Sequence, residues 1–386
     1  MDTLTTGQVA QRLGVKPATI YAYVSRGLLR SVRNGDGKVS LFTRADVEAF
    51  EAKRKGRGTP NIQTGITLIS GGRLFYRGRD AVDLAATATF ESVATLLWTG
   101  TLEHHDLVPP EGLLGLATAV TAPLPAAARH TDRLRVIVAA AAAADPLRFD
   151  ITPASVVSTG RALLATMVAA LPGPARTGPG TTLAAELWTR LTGERGSAAD
   201  HDLLNAALVL LADHDIAAST LAARVAASTR AHPYAVVSAG LAALDGPLHG
   251  AASGLAHELL ADALSRRDPV EAVASRLRAG EPIPGFGHHL YPDGDPRAKV
   301  LLDRDGPAAA RARRIAAAMR DRSGVHPNVD LALAALTLDR GMTPDAGETI
   351  FAVARTAGWL AHALEEYGDR PSRFRPAGRY AGRDPA

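Results

Sequence analysis

Residues 285–298 read GFGHHLYPDGDPRA. Three glycines, two prolines, two adjacent histidines, two aspartates and an arginine fill the stretch, and no hydrophobic period runs through it. Neither an amphipathic helix nor a half-buried strand has that pattern. It reads as a loop that builds no core. Its glycines let backbone pass close to whatever the loop surrounds, and Pro292 and Pro296 stiffen it.

The flanking chain reads as helix after helix. Phe90 to Trp98, Thr131 to Ala144, Leu183 to Leu191, Asp202 to Leu211 and Leu221 to Ser228 each carry helical apolar spacing. Alanine and leucine dominate and aromatics are only 5%, which favours helix over sheet. The clearest strand signal is GITLISGGRLFYRG, a small hairpin around Gly71-Gly72. A chain of 386 residues is long for one domain, so two or three units are expected.

Several function classes are set aside by what is missing. There is no cysteine, so no disulfide or thiolate metal site. The histidines are scattered rather than set at ligand spacing, and no His-Glu-x-x-His occurs, so no metal is expected. No G-x-G-x-x-G or phosphate loop points to a nucleotide cofactor. Met1 to Arg12 lacks the apolar core of a signal peptide. The longest apolar run, Val136 to Ala144, is too short to span a bilayer. The reading is a cytoplasmic protein with no membrane partner.

Charge is unevenly spread. Residues 1–58 hold 11 Lys+Arg against 5 Asp+Glu, a net of +6, and the remainder carries −2. The first segment reads as a small winged helix-turn-helix. Thr5 and Gln8 have capping-box spacing, Val9, Ala10 and Leu13 give one apolar face, and Gly14 stops the helix. Pro17 opens a second helix with Ile20 and Val24 on one face. Asn34-Gly35-Asp36-Gly37 sits between strand-like runs as a hairpin turn, and Thr43 with Asp46 marks another N-cap. The segment resembles the excisionase and mercury-resistance-regulator class, in which the second helix lies in the major groove of DNA. Thr19, Tyr21, Tyr23 and Arg26 are then its exposed candidates, with Arg33 and Lys38 reaching phosphates from the wing. A docking module with a solvated basic face is the competing reading. KRKGRGTP, residues 53–60, is a basic linker.

Polar residues interrupt the helical body at a few places. They are Asp213 and His214 in LADHDIAAST, His249 in DGPLHGAASG, and His288 and Arg297 in the opening loop. Asp330 stands in HPNVDLAL, Arg355 in FAVARTAGWLAH, and Arg370 and Arg373 in GDRPSRFRP. Singly, each has a bland explanation as a satisfied core residue, a cap or an ion-pair partner. Together they offer arginine forks for carboxylates and a carboxylate with imidazoles for removing a carbon-bound proton. The set suits a di- or tricarboxylic acid.

PLHGAASG, GFGHHLYPDGDPRA, NVDLAL, FAVARTAGW and RLFYRGRDAVDLA, in that combination, resemble the citrate synthase family from about Asn61 to Tyr380. The resemblance implies an all-α fold with a large and a small helical domain and a homodimer. The expected layout is helix-turn-helix 1–58, large domain 59–250, small domain 251–354 and large domain again 355–386. It implies condensation of acetyl-CoA or propionyl-CoA with oxaloacetate, with acyl-CoA as substrate and no cofactor. By motif, Asp330 takes the methyl proton, His249 hydrogen-bonds the thioester oxygen and His288 polarises the oxaloacetate carbonyl. His214, Arg297, Arg355 and Arg370 hold carboxylates.

The sequence departs from the pattern in places. Bacterial members often read Gly-Gly-Ala-Asn where this chain has Gly250-Ala251-Ala252-Ser253. Leu211 stands where many have histidine, Ala217 where many have asparagine, and His289 where arginine is common. Pro292 and Asp293 occupy a region where many carry basic residues for coenzyme A. Nor does the ordinary architecture begin with a helix-turn-helix. Two alternatives therefore stand beside the enzyme: a metabolite-sensing DNA-binding regulator built on a citrate synthase-like body, and an enzyme whose first module docks another protein.

Overall fold

The computed structural model describes residues 3–13, 15–25, 28–33, 40–44, 46–47, 50, 62–174, 180–374 and 382. The chain folds as two compact units, Met1–Gln63 and Thr64–Ala386.

In the first unit, strands Thr3–Thr5 and Val32–Arg33 both pair antiparallel with Ser40–Thr43, placing Leu4 opposite Phe42 and Val32 opposite Leu41. Among the described residues the unit also contains helices Thr6–Leu13 and Pro17–Ser25. Val9, Ala10, Leu13, Ile20, Leu29, Phe42 and Val47 form its core. The capping box is present: the Thr5 N–H donates to Gln8 Oε1 at 2.9 Å and the Gln8 N–H to Thr5 Oγ1 at 3.4 Å. Thr43 Oγ1 likewise accepts from the Asp46 N–H at 3.1 Å and donates to Asp46 Oδ2 at 2.8 Å. Tyr21 is 59% exposed, as a groove-facing residue should be, and Thr19 is half-buried. Tyr23 differs from expectation. It packs on the core with its ring 4.9 Å from that of Phe50, because Ile20, Tyr23 and Val24 share one face at spacings of three and four. Arg26, Lys38 and the Asn34–Gly37 turn lie outside the described residues, as does the Arg33 side chain.

The second unit is helical around one core. Its spine is helix Ala346–Gly368, which packs against Pro153–Ala169, Ala198–Leu211, Ala218–Ser228 and Pro233–Leu244. Close approach needs glycine: a Cβ on Gly240 would fall 2.4 Å from the Trp359 ring, and one on Gly358 would fall 2.4 Å from the Ala212 carbonyl. Helix Ala252–Ser265 packs on Val329–Asp339, which in turn packs on Pro296–Leu302 and Pro307–Ser323. The expected boundary between residues 354 and 355 falls inside the continuous helix Ala346–Gly368.

The hairpin forms from Thr67–Ser70 and Arg73–Tyr76, with Gly71 and Gly72 at φ of 58° and 72°. Two consecutive positive φ values make the turn whose twist matches the strands. A third strand, Arg79–Asp80, was not foreseen; it is two residues long and leads into the cap of helix Ala81–Thr87. Among the described residues, no helix is long and apolar enough to cross a membrane.

Candidate functional site

The glycine-rich loop is zipped to the segment that precedes Asp330. Phe286 bridges Pro327, the Gly287 N–H donates to the His326 carbonyl at 2.8 Å, and the Asn328 N–H donates to the Gly285 carbonyl at 2.9 Å. Asn328 also caps helix Val329–Asp339, its Oδ1 accepting from the Asp330 N–H at 3.0 Å. Gly285 has φ +82°, and a Cβ there would lie 2.8 Å from Leu331 Cβ. This bridge brings two distant motifs, and with them His288 and Asp330, to one place.

Asp295 fixes the loop's other end. It caps helix Pro296–Leu302, and its oxygens accept from Arg297 Nε at 2.9 Å and Nη2 at 2.8 Å. Its Oδ2 also accepts from the Val329 N–H at 3.1 Å. His249 lies in the turn between Pro233–Leu244 and Ala252–Ser265. That turn is tight: the Gly250 N–H donates to the Leu244 carbonyl at 3.0 Å, and a Cβ on Gly250 would fall 2.5 Å from Leu244 Cγ.

His214, His249, His288, Arg297, Asp330 and Arg355 line one cavity of about 480 Å³. Six of the seven residues expected for catalysis and carboxylate binding therefore converge. Arg370 does not. It follows the end of helix Ala346–Gly368, is exposed, and is absent from the described residues lining the cavity.

The imidazoles are neutral donors in waiting. Burial, then Arg355, lowers the His249 pKa to about 4. The Ser219 N–H donates to its Nε2 at 3.4 Å, with Ser219 Oγ at 2.7 Å. A nitrogen that accepts an N–H carries no proton, so Nδ1 carries it. His288 is arranged the other way. Its Nδ1 accepts the Leu290 N–H at 3.2 Å, leaving the proton on Nε2, and burial with the nearby Arg297 lowers its pKa to about 4. His214 is buried, its Nε2 3.0 Å from the Tyr291 hydroxyl, and burial beside Arg297 and Arg355 holds it well below the usual histidine range.

Asp330 is pushed up to about 7 by burial, an effect Arg297 opposes and Asp295 reinforces. Its position in the first turn of a helix favours the carboxylate. Arg355 is 1% exposed, and burial lowers its pKa to about 10. Its Nε donates to the Leu211 carbonyl at 2.8 Å, while Nη1 and Nη2 are buried with no hydrogen-bond partner among the described residues. Leu211 thus serves through its backbone, and its side chain need not be polar. A buried cation with unmet donors is costly to keep. A ligand carboxylate would satisfy both donors as a fork.

Other contributors escaped the sequence reading: Ser219, Asp295, Tyr291 and Phe351. Asp295-Pro296 carried a usable signal, a capping residue followed by proline at the first helical position. Ser219 had none, because only the fold sets it against His249.

Comparisons with known proteins bear on the family and the fold. The family model described as citrate synthase, C-terminal domain, matches residues 55–377, and a helix-turn-helix domain model matches residues 3–55. The citrate synthase of Haloferax volcanii is 34% identical over 86% of this chain and 96% of its own length. The 2-methylcitrate synthase 1 of Corynebacterium glutamicum is 28% identical over 80% of this chain and 89% of its own. The crystal structure of citrate synthase from Thermotoga maritima superposes with a TM-score of 0.70 at 27% identity, covering 86% of this chain and 97% of that one. The chain belongs to the citrate synthase family and is a citrate synthase-type enzyme.

Proposed function

We propose that this cavity joins the methyl or methylene carbon of acetyl-CoA or propionyl-CoA to the keto carbon of oxaloacetate. Asp330 takes a proton from the carbon next to the thioester. His249 Nδ1–H donates to the thioester oxygen as negative charge gathers there, which makes so weak an acid reactive. The resulting enol attacks the keto carbon, and one carbon–carbon bond forms. His288 Nε2–H donates to the keto oxygen, which ends as a hydroxyl. One water then cleaves the thioester, releasing coenzyme A and citrate or 2-methylcitrate. The scheme balances with two substrates and that water.

One observation carries the reading: Arg355 keeps two buried guanidinium nitrogens without a partner among the described residues, beside neutral imidazoles and a carboxylate of raised pKa. Arg297 and His214 complete the carboxylate side. The role expected of Arg370 does not form within one chain, so it would require a second copy, in keeping with a homodimer. The test is free-thiol release from each acyl-CoA, with and without oxaloacetate, on wild type and Asp330→Ala. Release that needs oxaloacetate and vanishes in the variant supports the reading. No release from folded wild type with either donor overturns it.

For the first unit we propose DNA binding, supported by the helix-turn-helix match, its net charge of +6 and the exposed Tyr21. Retention on duplex DNA that weakens steeply with salt tests it. Salt-independent behaviour would favour a protein-docking module.

A further inference from the structure

Helix Ala346–Gly368 touches the segment ahead of His214 at three levels and reaches Arg224, beyond it in the chain, at a fourth. Arg355 Nε holds the Leu211 carbonyl, and the Gly358 N–H donates to the Ala212 carbonyl at 3.1 Å. His362 Nε2 lies 3.2 Å from Asp213 Oδ2, and Glu365 and Glu366 both bind Arg224, whose Nη1 is 2.6 Å from His362 Nδ1. Arg355, Gly358, His362 and Glu366 are spaced three, four and four apart, one stripe of the helix. From the other side, Thr67 Oγ1 donates to Asp213 Oδ2 at 2.5 Å.

Asp213 and His362 are fully buried and take no part in the proposed chemistry. Arginine can only donate, so His362 Nδ1 accepts from Arg224 and Nε2–H donates to Asp213. Burial would raise the Asp213 pKa, but His362, Arg355 and Thr67 more than offset it, so the carboxylate stays charged. Both donors reach the same oxygen, Oδ2. The other, Oδ1, is buried without a hydrogen-bond partner among the described residues.

We infer that Asp213, clamped by Thr67 and His362, is a positioning residue that sets residues 211–214, and through them Arg355 and His214, for the ligand's carboxylates. The inference rests on the oxaloacetate reading above. Asp213 touches no substrate. It fixes the backbone that carries the Leu211 carbonyl on one side and His214 on the other.

The single-oxygen arrangement gives a sharp test. Asp213→Asn keeps one oxygen able to accept from both Thr67 and His362 and places its amide where Oδ1 has no partner. Asp213→Ala removes both bonds. Thr67→Val removes one and keeps the shape, so it remains usable should Asp213→Ala fail to fold. Expected are a rise in oxaloacetate KM of about tenfold or more for Asp213→Ala, and a few-fold rise for Thr67→Val. Asp213→Asn should stay near wild type, and acyl-CoA KM should stay within about twofold throughout. Unchanged oxaloacetate KM in folded Thr67→Val and Asp213→Ala would overturn the inference while leaving the oxaloacetate reading intact. An Asp213→Asn as impaired as Asp213→Ala would overturn the positioning claim in favour of charge. Wild type that shows no dependence on oxaloacetate would overturn both.

Discussion

The Ser219 backbone N–H points at Nε2 of His249 from 3.4 Å, with the Ser219 hydroxyl 2.7 Å from the same nitrogen. The imidazole is thereby held neutral with Nδ1–H free to donate. His249→Ala should lower kcat by about 10²–10³, the usual cost of losing one donor to a developing oxyanion. Ser219→Ala keeps the backbone N–H and should cost only a few-fold by the same reasoning. Thiol-release kinetics on both variants check the pair, and an equal loss in each would show that the hydroxyl, not the N–H, sets the tautomer.

Asp330 must be ionised to act as base, and its pKa is about 7. Rate should therefore fall as pH drops through about 7. His249 and His288, lowered to about 4, stay neutral over that range and should add no limb of their own. A kcat/KM profile with its acid limb near the ordinary carboxylate range would remove Asp330 from the role.

The same shift predicts a stability effect. The folded-state pKa of Asp330 is raised, so the stability linked to its protonation is full below the unfolded value of 3.8. It is lost as pH rises through about 7. Asp330→Asn removes this loss. Its Tm relative to wild type should rise from about pH 5 to about pH 8, by a few degrees at this chain length. A constant difference across that range would mean the carboxyl is not buried in its charged form.

Arg355→Lys keeps a cation but loses the fork. A lysine cannot hold the Leu211 carbonyl and two carboxylate oxygens together in one plane. Oxaloacetate KM should rise by about 10²-fold, the scale of a lost charged hydrogen-bond pair. Folding stability should not rise, because the buried ammonium is still a cation and still carries three donors. Thermal melts beside steady-state kinetics separate the two effects.

Much of this site was legible in the sequence, for a specific reason. The stretch GFGHHLYPDGDPRA is polar where helices surround it, and polarity amid apolar chain needs a partner. His288, Arg297 and Asp330 stood out that way, and the fold brings them together. What escaped were groups whose part is set by distant neighbours. Ser219 reads as an ordinary helix residue until His249 is placed against it. Tyr23 reads as a polar-tipped surface residue, yet its half-buried ring packs on the core beside Phe50. Arg370 reads as a ligand-holding cation, but it follows the end of helix Ala346–Gly368 and does not line this chain's own cavity.

Gly285 tests whether the loop's geometry, and not only its residues, matters. At φ +82° any L side chain is strained, and its Cβ would stand 2.8 Å from Leu331 Cβ and 3.2 Å from the Leu331 backbone. The helix backbone there cannot give, because Asn328 and Asp295 both hold its first turn. Gly285→Ala should therefore cost about 1–3 kcal/mol through backbone conformation and overpacking. The strain falls between His288 and Asp330, which the bridge joins, so kcat should drop with stability. Gly112→Ala is the control. It sits in the first turn of helix Glu111–Thr121 with nothing within 4 Å of an added Cβ, so it should leave kcat unchanged and raise stability slightly, by up to about 1 kcal/mol. Chemical melts and thiol release on both variants decide it. A Gly285→Ala protein that loses stability but keeps full kcat would show that the bridge holds the fold without aligning the acid–base pair.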